Sequence, residues 1–129
     1  MTISITTGLE VSVAGGPSLR QAQALAVDAY DMVDVVIADG ATDETVEIQP
    51  SAIAGQVQVL FVSATQYEPG LTYRVNAAAN PSHPLDRALL LTGAGAVALL
   101  GPAPTSLLFS NATGANITVQ VIVGRDATP

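Results

Sequence analysis

The stretch that decides the fold is SLLFSNATGANITVQVIVGRD, Ser106 to Asp126. Leu107, Leu108 and Phe109 form a short apolar run. Asn111, Thr113, Gly114 and Asn116 carry turn chemistry, because Gly and Asn tolerate positive φ and an Asn side chain can bond nearby backbone. Ile117, Val119, Val121 and Val123 then alternate with Thr118 and Gln120, a period of two that makes one face apolar and leaves the other mostly wet. Two strands closed into a hairpin are expected here, and with them a β fold.

The same alternation continues outward. Leu89 to Thr92 and Ala96 to Leu100 flank Gly93-Ala94-Gly95, the pattern of a tight hairpin, and Gly101-Pro102-Ala103-Pro104 is a stiff connector into the closing strands. Gln56 to Ser63 reads as the most buried strand, with Val57, Val59 and Phe61 on one face and Leu60 and Val62 on the other. Glu68-Pro69-Gly70 is a turn, after which Leu71, Tyr73 and Val75 alternate with polar residues; Ala77 to Leu85 is irregular. Asp31 to Ala38 presents Val33, Val35 and Ile37 on one face, and Thr45 to Gln49 presents Val46 and Ile48 until Pro50 stops it. At the start, Ile3, Ile5, Leu9, Val11 and Val13 alternate with polar residues, as two short strands or one strand bent at Gly8, until Gly15-Gly16-Pro17 breaks the pattern. Ser18 to Tyr30 reads two ways. Ser18 with Gln21 makes a capping box and Leu19, Ala22, Leu25, Ala26 and Ala29 fall at helical spacing, yet Ala22, Ala24 and Ala26 also suit a strand.

Strand patterns recur roughly every 8–12 residues with turn signals between them, and no amphipathic helix is long enough for parallel crossovers. The expectation is all-β: a single antiparallel β-sandwich domain over residues 1–129, jelly-roll-like. Val35, Ile37, Val46, Ile48, Val57, Val59, Phe61, Tyr73, Val119 and Val121 form its expected core.

Composition narrows the function by exclusion. There is no cysteine, so disulfides, thiol chemistry and cysteine zinc sites are out. The net charge is −7, lysine is absent, and the cations Arg20, Arg74, Arg87 and Arg125 are scattered, which leaves no basic stripe for nucleic acid. The opening MTISITTGLE has neither a basic nor an apolar segment of a signal peptide, and Ala88 to Leu100 is too short to span a bilayer. A soluble protein that stays where it is made, with no membrane partner, is expected.

Chemistry-bearing residues are few. The single histidine, His83, lies in Pro81-Ser82-His83-Pro84 with no nominated partner, and adjacency to Ser82 is not the geometry of a nucleophile and its base. Carboxylates cluster as Asp28/Asp31/Asp34 and Asp43/Glu44, patterns that suit a solvated face. Asp39, Asp43 and Glu44, with Thr42, sit on a Gly-containing turn and are a weak calcium candidate, since clustered oxygens can hold Ca²⁺, though the spacing is not that of an EF-hand. Two N-x-T sequons, at Asn111 and Asn116, read as turn residues. Tyr30, Tyr67 and Tyr73 are too scattered for a sugar platform. No enzyme, no catalytic residue and no cofactor are expected.

Ala29 to Asp43 with Val46 to Pro50, and Leu107 to Asn111 with Ile117 to Asp126, resemble small β-rich structural proteins of tailed bacteriophages, some of which decorate or cement the capsid. The resemblance implies a non-enzymatic decoration or cement protein of a phage head, made in the host cytoplasm and placed on the capsid surface. It implies the major capsid protein as partner and many copies, as a homo-oligomer such as a trimer. The alternatives are a tail or fibre component of the same virion, or a calcium- or sugar-binding sandwich module. Two features agree with assembly. Leu89 to Leu91 and Val97 to Leu100 read as strands apolar on both faces, and the Met1–Thr7 and Gly124–Pro129 ends read as arms able to lie across a neighbour.

Overall fold

Side chains that alternate apolar and polar must put one face of each strand against another layer, and the chain obeys this nearly throughout. The computed structural model describes residues 2–49, 53–101 and 103–126. Among them run strands β1 (Ile3–Ser12), β2 (Ser18–Val27), β3 (Ala29–Ile37), β4 (Glu44–Glu47), β5 (Val57–Ala64), β6 (Leu71–Val75), β7 (His83–Pro84), β8 (Leu89–Thr92), β9 (Ser106–Asn111) and β10 (Ile117–Arg125). A four-residue helix, α1 (Ala94–Val97), and a 3₁₀ turn over Ala98–Leu100 interrupt them.

Two four-stranded antiparallel sheets form the body, one in the order β3-β10-β5-β8 and the other β4-β9-β6-β7. Their inward faces share one core. Ile37, Leu60, Val62, Ile117, Val119 and Val121 come from the first sheet, and Val46, Leu71, Leu107 and Phe109 from the second. The antiparallel sandwich read from the sequence is therefore the fold. β1 and β2 stand apart as a two-stranded ribbon, paired from Ile3↔Val27 to Ser12↔Ser18.

Three local readings change, and one left open between helix and strand is settled. The closing segment does form two strands, but they are not a hairpin: β9 pairs with β4 and β6, while β10 pairs with β3 and β5. Leu107, Phe109, Ile117 and Val119 all point into the shared core, so residues 112–116 carry the chain between layers about 10 Å apart instead of folding it back within one. In β5, the register shift opposite Gly124/Arg125 leaves Gln58 as an extra residue. This bulge puts Val57 on the inner face with Leu60 and Val62, while Val59 and Phe61 face out. Val59 is buried outside the shared core and Phe61 is half-buried; Val35 and Tyr73 are half-buried against the core, and the other expected core residues are buried.

Gly93-Ala94-Gly95 makes no hairpin. Gly93 turns the chain at φ 89°, its N–H bonds Gln58 O, and the Ala-rich residues that follow close a helical turn. β8 is consequently an edge strand paired only with β5, and Leu99 projects into solvent. Finally, Ser18 to Val27 is strand, not helix. The long β1 ladder outweighs local propensity, and the Val13 N–H to Pro17 O bond at 2.9 Å closes the turn without a helix start. β1 runs straight through Gly8, so the N-terminal residues are a paired strand and not a loose arm. Met1, Pro50, Pro102 and the last three residues lie outside the described residues.

Candidate functional site

The ribbon is amphipathic because its two strands are in a register that stacks like with like. Ile3, Ile5, Thr7, Leu9 and Val11 share a face with their partners Val27, Leu25, Gln23, Gln21 and Leu19. The 2.9 Å bond from Val13 N–H to Pro17 O extends the register, so Val13 joins this face. The other face carries Ser4, Thr6, Gly8, Glu10 and Ser12 opposite alanines, Arg20 and Ser18, with Arg20 and Glu10 paired at 3.2 Å. Burial fades outward along the apolar stripe. Val27 is buried, Ile3, Ile5 and Leu25 are half-buried, and every residue from Gly8 to Ala24 is exposed, Val11 by 65% and Leu19 by 73%.

The root of the ribbon rests on the outer face of the β3-β10-β5-β8 sheet. Gly124 is the seat. A Cβ there would stand 2.7 Å from Ile5 Cδ1 and 3.3 Å from Val27 Cγ1, so the missing side chain lets the stripe approach the sheet. The register then lines up a transverse row beside that seat, Met32–Ile122–Phe61–Leu90, each residue directly opposite the next. Met32 is 57% exposed and its neighbour Tyr30 is also exposed. The next row, Asp34–Gln120–Ser63, is polar. An apolar cavity of about 210 Å³ remains between the root and the sheet, lined by Ile5, Thr6, Thr7, Val59, Phe61, Leu90 and Ile122.

The residues singled out in the sequence lie elsewhere and do not converge. Asp39 Oδ1 accepts the Gly114 N–H at 3.0 Å, while the Asp39 N–H donates to Asn116 Oδ1 at 2.9 Å; the turn is thus tied to the β9–β10 connection. Asp43, at φ 53°, donates its N–H to Ser110 Oγ and faces Arg74 Nε at 3.5 Å, an ion pair too long to be a hydrogen bond. Glu44 is exposed on β4. Among the described residues no group of three or more His, Asp or Glu side chains comes together as metal ligands. Asp31 pairs with Arg125 at 2.6 Å and Asp34 stands in the polar row.

His83 is exposed on β7, its ring centroid 5.5 Å from that of Tyr73. Burial, and to a smaller extent the negative charge of Asp86, pushes the Tyr73 phenol above its ordinary range. The tyrosines do not form one platform: Tyr30 lies on the outer face, Tyr67 accepts the Ala64 N–H at 3.1 Å, and Tyr73 packs against the core. The first sequon is closed by structure. Asn111 is 1% exposed and its amide donates to Ile37 O at 2.9 Å and Ala115 O at 2.7 Å, leaving no room for a glycan.

The outer ribbon and the row it covers only in part are the feature that sequence reading missed. Their only sequence signal was the run of odd-numbered apolar residues from Ile3 to Val13. No helix among the described residues is long and apolar enough to cross a membrane. Comparison of the chain with protein-family models, with curated proteins and with solved structures gives no match.

Proposed function

We propose that this chain is a non-enzymatic structural subunit of a virion, a capsid decoration or cement protein on a tailed-phage head, with the major capsid protein as its partner. The observation that carries the reading is the projecting ribbon with an uncharged apolar stripe, Leu9, Val11, Val13 and Leu19, in solvent. A monomer that acts alone has no use for such a surface, whereas an assembly subunit buries it against a neighbour. The strand orders support reading the sandwich as a jelly roll, an eight-stranded double sheet frequent in viral shells: β3, β10, β5 and β8 face β4, β9, β6 and β7. A net charge of −7 keeps such a subunit off packaged DNA.

The test is location. Immunogold electron microscopy on phage particles that carry this gene is expected to label heads, and the purified chain is expected to rebind heads stripped of it. Label confined to tails or fibres would replace the head reading with a tail component, and particles without label would overturn both.

A further inference from the structure

We propose that the outer half of the ribbon docks on a second copy of this chain, its stripe of Leu9, Val11, Val13 and Leu19 packing across the outer-face row Met32–Ile122–Phe61–Leu90. This deepens the assembly reading above by naming a partner and a contact, and rests on it. The first argument is continuity. The same stripe already packs on the same sheet face within the molecule, through Ile5 and Val27 against Gly124, Val59 and the cavity walls. The contact stops with the sheet face unfinished on one side and the stripe unfinished on the other.

The second argument is length. Leu9 to Val13 spans about 13 Å of strand, and the four-strand row spans about 14 Å, three inter-strand spacings. The molecule's own ribbon covers the row only in part: Ile5 to Thr7 line the cavity beside Phe61, Leu90 and Ile122, Met32 stays exposed, and from Gly8 onward the ribbon itself is exposed. The third argument is charge. Two chains of −7 repel, so they meet most readily where neither carries charge. The odd-numbered positions from Ile3 to Val13 and their partners are uncharged, as is the row; Glu10 and Arg20 lie on the opposite ribbon face, and Asp34 one row away. The apolar cavity of about 210 Å³ at the root is large enough to take one incoming side chain.

The chain has no cysteine, which makes the contact directly testable in the full-length protein. Val11→Cys and Met32→Cys, each alone, are mixed and oxidised. The expected product is mainly the mixed disulfide dimer, and Val11→Cys paired with itself as the main product would overturn the proposal. Sedimentation velocity provides the second readout. The unaltered chain should self-associate, and Val11→Asp and Met32→Glu, both at exposed positions, should each weaken association by at least about tenfold. Association unaffected by Met32→Glu, or a strict monomer at the highest soluble concentration, would overturn it. A strict monomer that still binds stripped heads would leave the decoration reading standing without this contact. Ribbon-to-sheet association by a chain that labels no particle would support the contact and remove the virion.

Discussion

Asn111 holds the passage between the two sheets, and removing its side chain should cost far more than a loop substitution normally does. Its amide donates to Ile37 O at 2.9 Å and to Ala115 O at 2.7 Å, and its Oδ1 accepts the Thr113 N–H at 3.0 Å and Thr113 Oγ1 at 2.7 Å. In Asn111→Ala the groups of Thr113 and Ala115 turn to water, at about 0.5 kcal/mol each. The Ile37 carbonyl sits where water does not reach, and losing this donor costs about 1–3 kcal/mol. The sum is about 2.5–4.5 kcal/mol, a large share of the 5–15 kcal/mol that roughly bounds a domain's stability. Urea unfolding followed by circular dichroism should show the midpoint falling by roughly 1–2 M with the slope unchanged. Asn111→Asp keeps the shape and the acceptor but loses both N–H donors and aims charge at two carbonyls. It should be at least as damaging at neutral pH and recover in part when the acid is protonated. Either variant within about 0.5 kcal/mol of the unaltered chain would refute the claim that this amide fixes the crossing.

Adjacent residues of β5 face opposite layers, so Leu60→Asp, in the shared core, should destabilise more than Val59→Asp, where the ribbon root can lift and admit water; equal unfolding midpoints would contradict the placing of Leu60, and not Val59, in the shared core. Raised Tyr73 titration means that the folded chain holds the phenol proton more tightly than the unfolded one. The associated stability is fully present below the unfolded tyrosine range near pH 10 and is lost as pH rises through the folded value. Tyr73→Phe should therefore lose less stability than the unaltered chain between neutral and strongly alkaline pH, and identical profiles would count against it. Calorimetry with millimolar Ca²⁺ should give no saturable heat, because Asp39 and Asp43 serve different partners; a heat abolished by Asp43→Ala would favour a binding module instead. His83→Ala should leave the fold and any assembly unchanged, since the ring is exposed on an edge strand.

Alternation made the strands legible but not their partners. It reports which side of a strand is apolar, and Leu107, Phe109, Ile117 and Val119 would alternate identically in a hairpin or across two layers. The bulge at Gln58 was invisible because one extra residue changes no composition, yet it turns Val57 from one face to the other. The same ambiguity hid the candidate site: the valines of the ribbon read no differently from those of the core, although one set is covered and the other faces water. The acidic turn was visible as acids, but its use was not, since Asp39 takes its partners from 75 and 77 residues away.

The central place of β10, between β3 and β5, also sets the order of events during synthesis. The ribbon is local in sequence and is made first, whereas the strand that completes its seat, and carries Gly124, is made last of those described. At 5–20 residues per second, roughly ten seconds separate the two. During that interval the whole stripe from Ile3 to Val13 is uncovered, and β3 and β5 lack the neighbour that joins them. For the proposed ribbon-to-sheet contact, translation itself would set the order: a nascent chain can offer its ribbon early, but it can receive one only after β10 has closed the sheet.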